Sequence, residues 1–316
     1  VGELYAYDSY DTKSDSLYGY TPGKYLGEAI GVIILPDNKK ELWLSLNDAA
    51  AKDFSFFAEL EVNDLQALSL SFWDITFDEK EMVHLKSLTG LRKLFLESPA
   101  ITNNSLVNIR ELVNLYWLDL SHTRINDSGL EYLVLLDELK VLDLEKTLIS
   151  DAGAPQLLAL GSLEELSLEG TNIGDVGLEY VCRLASLLRL NLNQTRITNA
   201  GLAACRDLKD LESLDLAYTA VTDAGLVHLQ GMSKLKTLVL SGTKITSVGL
   251  EYLKTMSALE WINLRDTQII DTDFMPLGHL TKLRGLGLNT EQTTASGMSE
   301  LKRLIPNCTI GDHLVP

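Results

Sequence analysis

The sequence predicts an α/β fold, a right-handed β-α solenoid with a parallel sheet on its concave side and helices on its convex side. Three observations lead there. A 24-residue pattern recurs eight times between Leu91 and Lys282 without a slip, its copies beginning at Leu91, Leu115, Leu139, Leu163, Leu187, Leu211, Leu235 and Leu259. Apolar residues fall at positions 1, 4, 6, 11, 16, 19 and 22 of each copy, as in Leu115, Leu118, Leu120, Ile125, Leu130, Leu133 and Leu136. The period also changes inside the copy: positions 4 and 6 alternate as a strand does, whereas 16, 19 and 22 share a helix face, so each copy reads strand, turn, helix.

One such unit cannot bury a strand face and a helix stripe alone, so the copies must stack around a shared core. Successive strands joined through a helix run parallel, and such crossovers are almost always right-handed. Three positions carry roles that stacking explains. Position 9 holds Thr123, Thr147, Thr171, Thr195, Thr219, Thr243 and Thr267, where a buried hydroxyl needs a backbone partner, most simply in the neighbouring copy. Position 13 holds Asn103, Asp127, Asp151, Asp175, Asn199, Asp223 and Asp271, which are expected to cap helices and oppose the helix dipole. Position 15 holds glycine at Gly129, Gly153, Gly177, Gly201, Gly225 and Gly249, costly in a helix and therefore expected where adjacent turns approach closely.

The run from Leu211 to Leu226, with leucine at 211, 214 and 216, then Thr219, Val221, Thr222, Asp223, Ala224, Gly225 and Leu226, resembles the threonine-bearing 24-residue type of leucine-rich repeat, as found in bacterial and ribonuclease-inhibitor-like leucine-rich repeat proteins. The closing Leu304 to Ile310 is similar to the half-repeat that ends such arrays. The resemblance implies a horseshoe scaffold that binds partners, usually proteins, and is not an enzyme.

Upstream the pattern decays. Leu65, Leu68, Leu70 and Ile75 keep positions 1, 4, 6 and 11, while Leu44 and Leu46 fit positions 4 and 6 of an earlier copy. Gly31 to Leu35 and Glu41 to Leu46 flank the turn-forming Pro36 to Lys40, a strand–turn–strand signal that would cover the first edge of the stack. Residues 1–24, with Tyr5, Tyr7, Tyr10, Tyr18 and Tyr20 among polar residues, read as a linker or arm. The expected organisation is therefore an arm at 1–24, an N-terminal cap at 25–64, the repeat array at 65–307 and a C-terminal cap at 308–316.

The net charge of −17 opposes binding to nucleic acid or anionic lipid and favours a basic partner. No apolar run is long enough to span a membrane. A chain opening on Val1 is expected to be a processed form, which leans towards a secreted or extracytoplasmic location, and a monomer is expected. Cys205 and Cys308 fall on core positions and Cys182 just off the stripe, so all three read as thiols, with a Cys182 to Cys205 bridge the minor alternative. No nucleotide-binding loop, nucleophile motif or metal-ligand spacing stands at a strand–helix junction, so neither catalytic residue, cofactor nor metal is expected.

Function is expected on the strand face, where positions 3, 5 and 7 point away from the core. The acidic members Asp119, Asp143, Glu145, Glu165 and Glu169 gather within a few strands, with His122 beside them and Asp215 further on. Their mutual repulsion suits a basic protein partner. A calcium site would need six to eight oxygens, and paired-carboxylate hydrolysis would need a site walled off from water. Phe95, Trp117, Tyr218 and Trp261 add aromatic contacts, with Arg189 and Arg265 alongside. The expected function is non-enzymatic protein recognition through this face. The alternative is binding of carbohydrate or a cell-surface polymer, in which aromatic rings stack on sugars.

Overall fold

The structure, a computed structural model, describes residues 2–8, 24–28, 40–46, 53–60, 64–70, 78–270 and 274–312. It is the predicted α/β solenoid, strands on one side and short helices on the other. The chain divides into two compact units, residues 1–149 with 159–166, and residues 150–158 with 167–316.

In the first unit the strands are β1 (Gly2–Asp8), β2 (Lys24–Glu28), β3 (Lys40–Leu46), β4 (Ala67–Ser69), β5 (Lys93–Phe95), β6 (Trp117–Asp119) and β7 (Val141–Asp143). Their order is β2-β1-β3-β4-β5-β6-β7. β1 pairs antiparallel with both β2 and β3, and β3 to β7 run parallel with Leu44, Leu68, Leu94, Leu118 and Leu142 in one row. β8 (Glu165–Ser167) falls at the division. The second unit contains β9 (Arg189–Asn191), β10 (Ser213–Asp215), β11 (Thr237–Val239), β12 (Trp261–Asn263), β13 (Gly285–Gly287) and β14 (Thr309–Gly311), all parallel and in the register of the repeat.

Two expectations at the N-terminus change. Gly2–Asp8 is not a linker but a strand between β2 and β3, and the expected boundary at residue 24 falls on the first residue of β2. The expected partner of Glu41 to Leu46, at 31–35, lies outside the described residues, as do Ile75 and Phe72; β3 is paired to β1 and β4.

The core is the set of leucine positions. Leu115, Leu118, Leu120, Ile125, Leu133 and Leu136 are all fully buried, and their equivalents in the copies beginning at Leu139, Leu163, Leu187, Leu211 and Leu235 are buried too, whereas Ile269 in the copy beginning at Leu259 is only half-buried. The helical limb is short. It is α-helical at Asp175–Val181 and Ser247–Leu253 but a 3-10 turn at Asp127–Tyr132 and Ala154–Ala159. The 16-19-22 stripe explains the mixture, because a spacing of three matches the 3.0-residue turn of a 3-10 helix better than 3.6.

The structure exchanges the roles expected for the two polar rows. Each threonine of position 9 donates within its own copy, Thr123 Oγ1 to Leu120 O at 2.6 Å and Thr195 Oγ1 to Leu192 O at 2.6 Å, not to a neighbour. The bond between copies belongs to position 13. Asp175 Oδ1 accepts from Thr198 N at 2.8 Å and its Oδ2 from Thr198 Oγ1 at 2.6 Å; Asp223 repeats both towards Thr246, while Asn199 accepts from Thr222 N and donates through Nδ2 to Thr222 Oγ1. Helix capping falls instead to position 12, where Thr102, Asn126, Thr198 and Thr246 accept from the backbone two residues on.

The glycine row follows from this bond. A Cβ at Gly201 would lie 2.5 Å from Asp175 Oδ1, and at Gly249 2.5 Å from Asp223 Oδ1. Only glycine lets the preceding copy's carboxylate reach over the turn. Cys182 and Cys205 form a disulfide with a Cα separation of 4.9 Å, so the reading of both as thiols is corrected. Positions 20 and 19 of consecutive copies face each other across adjacent helical turns. Cys308 is half-buried rather than buried, and burial pushes its thiol up to about 11.

Gly201→Ala is expected to cost about 1–3 kcal/mol by urea unfolding. In an Asp175→Ala background the same change should cost markedly less, because the two nearest atoms to the added Cβ, Oδ1 at 2.5 Å and Cγ at 3.1 Å, go with the Asp175 side chain. Reduction of the Cys182–Cys205 bridge should lower stability by about 2–4 kcal/mol, read as a fall in the melting temperature in dithiothreitol.

Candidate functional site

The strand face of the first unit is built from two rows. Position 3 supplies Trp43, Ala67, Lys93, Trp117 and Val141, and position 5 supplies Ser45, Ser69, Phe95, Asp119 and Asp143. Ala67 and Ser69 are small, which opens a trough over β4 where Trp43 and Phe95 stack with centroids 5.0 Å apart and planes within 3°. Trp117 tilts against Phe95 at 5.7 Å, and Lys93 Nζ stands 5.5 Å from the centroids of both Tyr116 and Trp117. Burying a lysine against two rings keeps its charge facing π density.

Trp117 was expected as an exposed contact and is 3% exposed, so its ring is a packing element of the ridge, and its Nε1 has no hydrogen-bond partner. Phe95 is the half-buried member that the ridge presents. Trp43 was missed as a site residue. Carrying the position-3 row one copy upstream would have found it.

Next to the ridge lies the acidic cluster. Asp119 Oδ1 accepts from Ser121 N at 2.8 Å, and Asp143 Oδ1 from Glu145 N at 2.8 Å. The second unit repeats this turn at Asn191, Asp215 and Asn263, which accept from Asn193, Ala217 and Arg265. Position 5 therefore needs one side-chain oxygen at the strand's end, which Asp and Asn supply equally. The charge of Asp119 is extra to that requirement. Burial and Glu145 push its carboxyl above the usual range, against the Ser121 hydrogen bonds and His122. Glu97, at position 7, is raised by burial and by Asp119 and Glu145, with Lys146 opposing. Glu97 was not among the expected site residues, although it lies in the same row as Glu145.

His122 and Lys146 stand at the next turn, both with left-handed backbone at φ 56° and 51°. His122 Nε2 lies 3.4 Å from Glu145 Oε1, and Lys146 Nζ 2.5 Å from the same oxygen. Lys140 Nζ pairs with Glu164 Oε1 at 2.6 Å. Glu165 is 4% exposed and so is withdrawn from the expected contact surface.

In the second unit, Glu169 Oε2 accepts from Asn191 Nδ2 at 3.1 Å. Asp215 lies opposite Asn191, and burial with the Glu169 charge pushes its carboxyl up to about 6, against the Ala217 hydrogen bond. Arg189 occupies position 3 of the same strand as Asn191 and is half-buried. The aromatic residues have a packing role. The Trp261 ring lies over Gly285 and the Tyr218 ring over Gly242, in each case where a Cβ would collide with the ring. Tyr218 is still 55% exposed, whereas Trp261 and Arg265 are half-buried. Among the described residues no group of three His, Cys, Asp or Glu is placed to hold a metal. No helix among them is long and apolar enough to cross a membrane.

The raised Asp215 carboxyl means that the folded chain retains a proton that the unfolded chain has released between about pH 4 and 6. Stability therefore falls as pH rises through that window. Asp215→Asn keeps the acceptor for Ala217. It should match the wild type below pH 4 and exceed it by about 1–3 kcal/mol above pH 7, in urea titrations across that range.

Four stretches of the chain, 117–134, 162–182, 208–229 and 231–254, match the family model described as Leucine Rich repeat. No curated protein matches the chain in sequence. Among solved structures, an internalin of Listeria monocytogenes is similar over 80% of this chain and 82% of its own, at 20% identity and a TM-score of 0.59. An internalin C2 of the same organism is 27% identical over 60% of this chain and 84% of its own, with a TM-score of 0.47. A leucine-rich repeat protein of Leptospira interrogans is 17% identical over 78% and 84%, with a TM-score of 0.44. The four matched stretches are similar to leucine-rich repeats, and the chain shares its fold with the first internalin, its strands set in the 24-residue register of such repeats.

Proposed function

We propose that the chain is a non-enzymatic recognition module and that the strand face of the first unit grips a partner protein carrying cationic groups. One observation carries this reading: Glu97 and Asp119 are held above their ordinary carboxyl range by burial and by the charges of neighbouring acids, beside the half-buried ring of Phe95. Acids that repel one another on an accessible face lower the free energy of a complex in which a basic partner supplies the missing charge. The aromatic ridge supplies the apolar anchor that such a contact needs at its centre. Asp143, Glu145 and His122 frame the patch, with Lys146 as its cationic border. The repeat family, whose members bind protein partners, supports the same reading.

A second reading, carbohydrate binding, draws on Tyr218, whose ring lies over glycine and stays largely exposed, a platform suited to stacking on a sugar. Glycan-array binding that disappears in Tyr218→Ala would favour it.

The test of the leading reading uses the wild-type chain and a Glu97→Lys, Glu145→Lys variant as baits in the secretions and lysate of the source cells. Partners retained by the wild type should be lost by the variant, with the circular-dichroism spectrum unchanged. Equal retention by both would overturn the assignment of this face.

A further inference from the structure

In the second unit the strand face carries polar groups that the fold leaves unsatisfied. Ser167 ends β8 and Leu168 N donates to Asn191 O at 2.9 Å, which sets Ser167 beside Asn191 on the outward row. Ser167 is only 3% exposed and its Oγ has no hydrogen-bond partner. One strand-end further on, Asn193 Oδ1 is also buried and without a partner. A buried orphan polar atom costs roughly 1–3 kcal/mol; Asn193 Oδ1 can only accept and the Ser167 hydroxyl can accept as well as donate, so a donating ligand satisfies both.

The surroundings specify the charge of that ligand. Asn191 is tied at both ends of its amide, Nδ2 to Glu169 Oε2 at 3.1 Å and Oδ1 from Asn193 N at 2.9 Å, so it holds Glu169 and Asn193 on either side of itself. Asp215 lies opposite Asn191 on β10. Two carboxylates, an amide oxygen and a hydroxyl thus share the ends of three adjacent strands. Neighbouring strands stand about 4.8 Å apart, so an atom seated between two of them can reach acceptors on both.

We propose that Ser167, Glu169, Asn193 and Asp215 form a subsite for one primary ammonium group, the side chain of a lysine on a bound protein. An ammonium offers three donors from a single compact centre, which suits acceptors converging from several strands. A guanidinium would need a planar, bidentate arrangement. A divalent cation is the poorer match, because the cluster has only two carboxylates and calcium takes six to eight oxygens. Asn191 is the positioning residue, and Ser167 and Asn193 are the acceptors that discriminate an ammonium from bulk charge attraction. The subsite rests on reading the strand face as a protein-recognition surface. It uses no residue of the first-unit patch, so either assignment can fail without the other.

The experiment is calorimetric titration of the full chain at low salt with an acetylated Gly-Lys-Gly-Lys-Gly peptide, its norleucine counterpart, cadaverine and calcium chloride. The lysine peptide should bind and the norleucine peptide should not. Ser167→Ala should weaken the lysine peptide about five- to ten-fold while leaving the melting temperature equal or higher, since it removes an unsatisfied hydroxyl. Glu169→Gln should weaken it about ten-fold or more. Glu138→Gln, an exposed control, should change it less than about two-fold. The proposal is overturned if Glu169→Gln does no more than that control, if Ser167→Ala leaves affinity intact, or if calcium displaces the peptide stoichiometrically. Tighter binding of cadaverine than of the peptide would assign the site to a free diamine and overturn the lysine side chain as its occupant.

Discussion

Within each unit, stacking depends on an oxygen that one copy lends to the next. The side chain at position 13 leaves its own turn, accepts the backbone N–H at position 12 of the following copy, and passes over the glycine at position 15. The bond is charge-assisted where the residue is Asp, and it satisfies a helix-entry donor that would otherwise have no partner. It also fixes the spacing between helical limbs on the side away from the sheet, as the strand ladder does on the other. With stacking settled there, the threonine of position 9 is released to close its own turn.

The repeat, the strand positions and the leucine core were legible because a 24-residue recurrence with a change of period admits few folds. The division of labour between positions 9 and 13 was not legible, since threonine and aspartate both offer oxygens and only backbone direction decides which reaches a neighbour. β1 did carry a signal: Leu4 and Ala6 alternate with Glu3, Tyr5 and Tyr7, a strand period obscured by tyrosines scattered through the polar segment that follows. The disulfide was concealed in a separation of 23, which depends on the facing of two Cβ atoms on adjacent turns.

For the candidate site, strand alternation assigns the acidic residues to the outward rows but does not show what else those rows do. Alternation shows that Trp117 points outward; it does not show that Ala67 and Ser69 leave room for Trp43 and Phe95 to meet, building a ridge that buries Trp117. Likewise the row at position 5 holds an acceptor for the N–H two residues on, a duty that Asp and Asn perform alike. Where the chain has Asp119, Asp143 or Asp215 rather than Asn191 or Asn263, charge has been added to a geometry that does not need it. The surface can therefore change sign pattern without disturbing its backbone, which is how one scaffold comes to serve different partners.

The Cys182–Cys205 bridge bears on how such an array comes apart. Repeat proteins lose structure as a zipper does, copy after copy from an end, because each copy is held only by its neighbours. A covalent link between the copies beginning at Leu163 and Leu187 stitches two teeth of that zipper together. Fraying that travels inward from the last copies halts there until both stitched copies open at once, so the bridge acts as a firebreak for local unfolding.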